Sequence, residues 1–296
     1  MPYQTGIANS ASDLVTTIES FATSNGWTKT GNVLHSSTCF VELSSDNSVN
    51  QVMCKGGTGI DASNSLTGGG ADVYGRMRDI NPKQITYPVT YHLFAHTQPE
   101  TIICVINYDT IYFQYLAFGI ATNLGVPGTC NFVSGSISKN GLSNIYHKYN
   151  EGGEWGYSSA AAMFWNKTGL SYGNFRGSFI HVNLDGVDWA GTTSQRAMVS
   201  AYTPKLLQRQ PNAINNRSVF IPLNILFDRP SSKISLIARI EHCRCLRIDY
   251  YDPGDIVTIG QTKWKVFPWY KKDVSNRDGG TNHSGTSGWA ILYDGP

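Results

Sequence analysis

The chain has 296 residues, a formal net charge of +2 and only 15% charged residues, below the roughly 25% of soluble domains, while aromatics reach 12%. The absence of a lysine or arginine block argues against a partner held by phosphate electrostatics, though not against a local basic patch, and no specific nucleic-acid role is expected. No run approaches 18 apolar residues, which excludes a membrane-spanning helix, and the start MPYQTGIANSASD lacks the basic and apolar regions of a secretory signal, so assembly in a cytoplasm is expected.

The elements read in chain order as follows. Ser10 to Gly26 is a helix: Ser10 with Asp13 forms an approximate capping box, Leu14, Ile18, Phe21 and Ala22 recur at helical spacing, and Gly26 suits the left-handed position past the end. A hairpin around Thr30-Gly31-Asn32 joins Trp27-Thr28-Lys29 to Val33-Leu34, and Cys39–Leu43 and Val49–Cys54 are strands. The glycine-rich stretch Gly56 to Gly70 has neither GxxxxGK[ST] nor a GxGxxG between strand and helix, so it reads as loops on a β scaffold rather than a phosphate cradle. Tyr87–His96, Glu100–Asn107 and Ile111–Gly119 are strands at the centre of a sheet, since Thr101–Ile106 is nearly all apolar, as expected of a strand covered on both faces.

From Thr122 to Gly177 the texture turns to glycine, serine, asparagine and isolated aromatics, which predicts long loops with short strands. Arg217–Phe227 is a strand, with Pro222 pushing part of it to an edge. After a turn at Arg229–Ser232, two strands follow, Lys233–Ile240 and Cys243–Ile248. Asp252-Pro253-Gly254-Asp255 has the chemistry of a type II turn, and Ile256–Ile259 and Thr262–Phe267 form a hairpin around Gly260-Gln261. Gly288–Tyr293 then closes a small three-stranded sheet. The expected fold is mainly β with a minor N-terminal helix (α+β), a β-sandwich-like body with long loops and a small C-terminal β module. The expected units are residues 1–125, 126–215 and 216–296.

No catalytic residue, cofactor or metal ligand emerges. His92, His96, His181, His242 and His283, with Asp185, Asp188 and Asp255, fall into no GxSxG, HExxH or CxxC pattern. The six cysteines read as buried small hydrophobes, and Cys243-Arg244-Cys245 lies in a strand-like run with both thiols on one side and the arginine on the other, not in zinc-knuckle spacing. His283-Ser284 reads as turn chemistry, and Val182–Trp189 lacks the glutamate that closes a calcium loop. A glycan-binding module stacking sugars on Trp155, Trp165 or Trp189 is one alternative, and a polymer hydrolase using Asp185 and Asp188 is another.

Three separated blocks carry a resemblance: Tyr3-Gln4-Thr5-Gly6 with Ser10–Leu14 and Asn25–Thr28; Tyr91–Phe94 with Glu100–Ile106 and Phe113–Gly119; and Pro253–Asp255 with Trp264–Trp269 and Asn282–Ile291. In their order along the chain they resemble a group of tailed-bacteriophage virion structural proteins. Tyr115 stands where that group has a histidine, and residues 125 to 215 lie outside the resemblance. The resemblance implies a non-enzymatic virion subunit of the neck, collar, tail or baseplate, in contact with other virion proteins and with copies of itself in a cyclic ring. Aromatics supply contact area with few rotatable bonds, so Trp264, Phe267, Trp269, Tyr270 and Trp289 are the interface candidates. Trp264, Phe267, Trp269 and Trp289 are expected to pack the terminal module, with Trp269 and Tyr270 at or near an interface.

Overall fold

In the computed structural model, which describes residues 1–70, 73–79, 84–125, 128, 130–136, 180–184, 186–187, 189–190, 197–199, 219–229, 233–248, 250–269, 271–272 and 287–295, the chain is mainly β with antiparallel sheets and a small N-terminal helix. Strand β1 (Tyr3–Ala8) leads into helix α1 (Ala11–Ser24). Ser10 Oγ accepts from the Asp13 N–H at 3.1 Å, while Asp13 Oδ2 reaches one residue beyond the usual capping box, accepting the Asn9 N–H at 2.8 Å. At the other end Gly26 takes φ +93°, which lets the Trp27 N–H turn back to the Ala22 carbonyl at 3.1 Å and satisfy an orphan of the last turn.

The chain continues through β2 (Thr28–Thr30), β3 (Val33–Ser36), β4 (Cys39–Asp46) and β5 (Gln51–Gly57), a short hairpin β6 (Gly59–Ile60) and β7 (Leu66–Thr67), and β8 (Tyr74–Met77). Next come β9 (Val89–Thr97), β10 (Glu100–Tyr108), β11 (Tyr112–Ile120), β12 (Thr122–Asn123), β13 (Asn131–Gly135), β14 (Ile180–Asn183), β15 (Trp189–Ala190) and β16 (Ala197–Val199). The last strands are β17 (Ile221–Arg229), β18 (Lys233–Arg247), β19 (Ile256–Ile259), β20 (Thr262–Pro268) and β21 (Ser287–Tyr293).

Three sheets stack. The central one has the order β1-β9-β10-β11-β13-β14-β15. A second, β2-β3-β4-β5-β8, covers one face together with α1, and a third, β16-β17-β18-β21-β20-β19 with β12 on β18, covers the other. Period-two alternation divides β10 between the two cores: Ile102, Cys104 and Ile106 meet the helix and second sheet, whereas Ile103 and Val105 meet the third sheet. Double coverage is why this strand has no polar alternation to read. Each fully buried Ile or Phe contributes about 1.5–3 kcal/mol, while an exposed ion pair such as Lys29–Glu19 contributes about 0–1 kcal/mol, so the two cores hold the layers together.

The central and second sheets approach each other unequally. At Gly75 and Gly135 the backbones nearly touch: a Cβ on Gly75 would lie 2.3 Å from the Ser134 carbonyl oxygen, and one on Gly135 would lie 2.3 Å from the Arg76 nitrogen. Away from this pinch, Leu14, Ile18 and Phe21 of α1 fill the space between β4 and β5 on one side and β1 and β9 on the other.

Two strand expectations are corrected. Lys233–Ile240 and Cys243–Ile248 are not separate strands: β18 runs unbroken through Arg247, with a register shift against β17 that leaves Glu241, His242 and Cys243 without partners there. Arg244 bridges the irregularity, its Nη1 donating to the carbonyls of Ile240, Glu241 and Cys243 at 3.2, 2.7 and 2.9 Å. The terminal β19-β20-β21 unit is also not a sheet by itself, because β21 pairs with β18 (Cys243 opposite Ile291, Cys245 opposite Trp289) and extends the third sheet. Hydrogen bonding likewise crosses residues 125 and 215, through β11 with β13 and β16 with β17. Pro222 lies on β17 beyond the stretch paired with β16, consistent with its missing N–H. The Arg229–Ser232 turn is described only at Arg229.

Candidate interaction surface

The terminal aromatics divide between the two faces of the third sheet. Along β20, Lys265 and Phe267 point toward the central sheet, while Trp264 and Val266 point outward. Phe267 packs against His92, Phe94 and Phe113, with centroids at 5.0, 6.1 and 6.3 Å, and Trp269 lies 5.5 Å from Trp289. On the outer face Trp264 packs against Phe220 at 5.7 Å, and the Arg244 guanidinium stacks over it at 5.1 Å. Cys243 and Cys245 face the inner core, opposite Arg244. Of the interface candidates, Trp264, Phe267, Trp269 and Trp289 are thus buried within this single chain, so their rings pack its own core, and Tyr270 lies outside the described residues.

Beside this cluster Tyr3, His92, Lys265 and Tyr293 form a box between the central and third sheets. Tyr3 Oη hydrogen-bonds His92 Nδ1 at 2.8 Å, and Lys265 Nζ sits 5.3 Å from the Tyr3 ring and 4.9 Å from Tyr293. Burial, aided by the Lys265 charge, pushes His92 down to about 4, so the imidazole is neutral at pH 7. The box's own lysine already fills the place a cationic ligand would take.

What remains open to a partner is an edge. Strand β19 has β20 as its one neighbour among the described residues, and its other side presents backbone N–H and C=O groups. Ile256 and Ile259 are 45% and 44% exposed, and Ile256-Val257-Thr258-Ile259 contains none of the charges or prolines that usually guard an edge. Tyr250 is exposed just before it.

Among the described residues the catalytic candidates assemble into no site. His96 and His242 meet as a stacked pair with centroids 4.0 Å apart, and His181 is buried on β14. Asp185, Asp188, His283 and Ser284 lie outside the described residues, as do Trp155 and Trp165. Asp255 closes the turn that begins at Asp252, accepting the Asp252 N–H at 2.8 Å. Trp189 is buried, its ring occupying the space above Gly56. Asp61 in the glycine-rich stretch accepts the Ser63 and Ser65 N–H groups at 2.8 and 2.9 Å and so shapes the β6-β7 hairpin. All six cysteines are free and buried, and no cluster of three or more metal-binding side chains occurs among the described residues.

Sequence reasoning missed three anchors. The Tyr115 hydroxyl donates to the Pro268 carbonyl, the Arg244 guanidinium caps the irregular stretch of β18, and β19 offers an unguarded edge. The last had a readable signal in its β-branched, uncharged run, the second lies within four residues of Arg244 where the sequence pattern breaks between two strands, and the first depends on a contact distant in sequence.

No protein-family model matches the chain, and a search of curated proteins finds no match. No helix among the described residues is long and apolar enough to cross a membrane.

Proposed function

We propose that the chain is a structural subunit of a tailed-bacteriophage particle, part of the neck or collar, tail or baseplate, working through contacts with its own copies and with other virion proteins. The observation that supports this reading most is where the three resembling blocks lie. Tyr3 packs on Phe94 at 5.1 Å, Phe94 packs on Phe267, and Tyr115 bonds Pro268. Residues from the beginning, middle and end blocks therefore meet in the core between the central and third sheets, an arrangement in keeping with a resemblance that spans the fold.

Mode of action in such a subunit is geometric: a rigid three-layer body holds an edge and surface loops in fixed relation, and closed rings form when the same two patches meet around an axis. Sedimentation analysis and native mass spectrometry of the purified chain, alone and mixed with other proteins of the same particle, test it. Defined oligomers or stable mixed complexes support the reading. A chain that stays monomeric at high concentration and binds none of those proteins overturns it.

A further inference from the structure

His96 ends β9 in the central sheet, and His242 lies in the irregular stretch of β18 in the third sheet. Their rings are stacked at 4.0 Å and 12°, and the residues are 2% and 6% exposed. His242 Nε2 donates to the Pro99 carbonyl at 3.0 Å, which leaves Nδ1 as the bare nitrogen, and His96 Nδ1 faces Met1 Sδ. His96 Nε2 and His242 Nδ1 have no hydrogen-bond partner among the described residues. A shared metal ion is ruled out by the geometry, because imidazole lone pairs lie in the ring plane and two nearly parallel stacked rings cannot aim them at one point.

We infer that the His96–His242 stack is a proton-sensitive latch between the central and third sheets, closed when both rings are neutral and released when either takes up a proton. Protonating His242 places a new N–H at Nδ1 with no acceptor in reach; protonating both places two positive charges face to face in a nearly dry site. The charged groups facing the pair are the amino-terminal ammonium, held by Asp294 Oδ2 at 3.2 Å, and Glu241 and Arg244 beside His242. Glu241 and the Pro99 carbonyl favour the charged form of His242, whereas Arg244 and, more strongly, burial oppose it. For His96, burial, the neighbouring imidazole and the ammonium all act against charge.

The sign follows. Folded-state values below the ordinary ~6.5 mean that the unfolded chain binds more protons in the acid window, so the stabilisation is complete above about pH 6.5 and is lost as pH falls below it. Two such groups reduce the folded-to-unfolded ratio by up to about a hundredfold per pH unit in that window.

The test follows the imidazole signals of the histidine-labelled full chain by NMR from pH 8 to pH 4.5, with urea midpoints across the same range. The expected result is that, while the chain is folded, His96 stays neutral well below pH 6.5 and His242 titrates below its ordinary value. The urea midpoint falls over that interval, and the fall is smaller in the H96F/H242F variant, which keeps the stack but cannot titrate. His92 is common to both proteins, so the difference reports the pair. Two rings that titrate near 6.5 in the folded wild-type chain overturn the inference, as does an unchanged pH slope in the variant; if that variant does not fold, the wild-type titration alone decides.

Discussion

Tyr115, at the middle of the central sheet, donates its hydroxyl to the backbone carbonyl of Pro268, 153 residues away at the end of β20. Both groups are buried, so the bond joins two layers where water cannot substitute. Y115F keeps the ring and removes only the donor. It should lower stability by about 1–3 kcal/mol, the usual cost of a buried acceptor left unsatisfied, read as a lower urea midpoint at unchanged slope.

Arg244 answers three carbonyls and stacks on Trp264. R244M keeps much of the stem and loses the guanidinium, and should cost about 1.5–3 kcal/mol, the range for hydrogen bonds to a charged group. R244K should recover only part of this, since an ammonium has neither the planar fork nor the same stacking. Equilibrium unfolding of the two variants side by side checks the order.

The pinch between sheets predicts a backbone clash. G75A would place a Cβ 2.3 Å from the Ser134 carbonyl oxygen, which belongs to the main chain of β13 and has no side-chain rotamer through which to yield. A loss of about 1–3 kcal/mol is expected, with a lower melting temperature. G260A is the contrast, since nothing lies within 4 Å of that Cβ and only the positive φ is strained.

His92 supplies a pH prediction separate from the stacked pair. Burial first and Lys265 second hold it near 4, so its contribution to stability is complete above about pH 6.5 and is lost as pH falls toward 4. K265M removes the second cause and leaves the first. The His92 signal in an NMR titration should therefore move upward without reaching 6.5.

The six thiols should be inert in the folded chain. Burial pushes Cys39, Cys54, Cys104, Cys130, Cys243 and Cys245 toward the neutral thiol, which is the unreactive form. A chromogenic disulfide reagent should modify none of them at pH 8 within the time that modifies all six in denaturant.

How far the sequence carried the fold depends on the range of the interactions involved. The ends of α1, the Gly31, Gly254 and Gly260 turns and the doubly covered β10 are set by residues within a few positions of each other, and all were legible. The continuity of β18 was not, although its arginine contacts are local, because Glu241 and His242 interrupt the strand pattern and Arg244 reads in sequence only as the residue opposite two thiols. Nor could alternation reveal that β21 would choose β18 and extend the third sheet. The terminal aromatics were legible as packing residues, but whether a tryptophan faces its own core or a partner is a property of the assembled layers, and Trp269 and Trp289 face the core. The edge of β19 was legible in part: its uncharged, β-branched run reads as a strand, but that Ile256 and Ile259 face solvent depends on which strand pairs beside it.

The central claim, that this chain is a built-in part of a phage particle, is tested most directly by a cryo-electron density map of intact purified particles, with the chain's presence checked by peptide mass spectrometry of the same preparation. The account predicts peptides from this chain and density fitting its three-layer body at the neck, tail or baseplate, repeated about an axis. Particles free of the chain, with every density there assigned to other proteins, would contradict it.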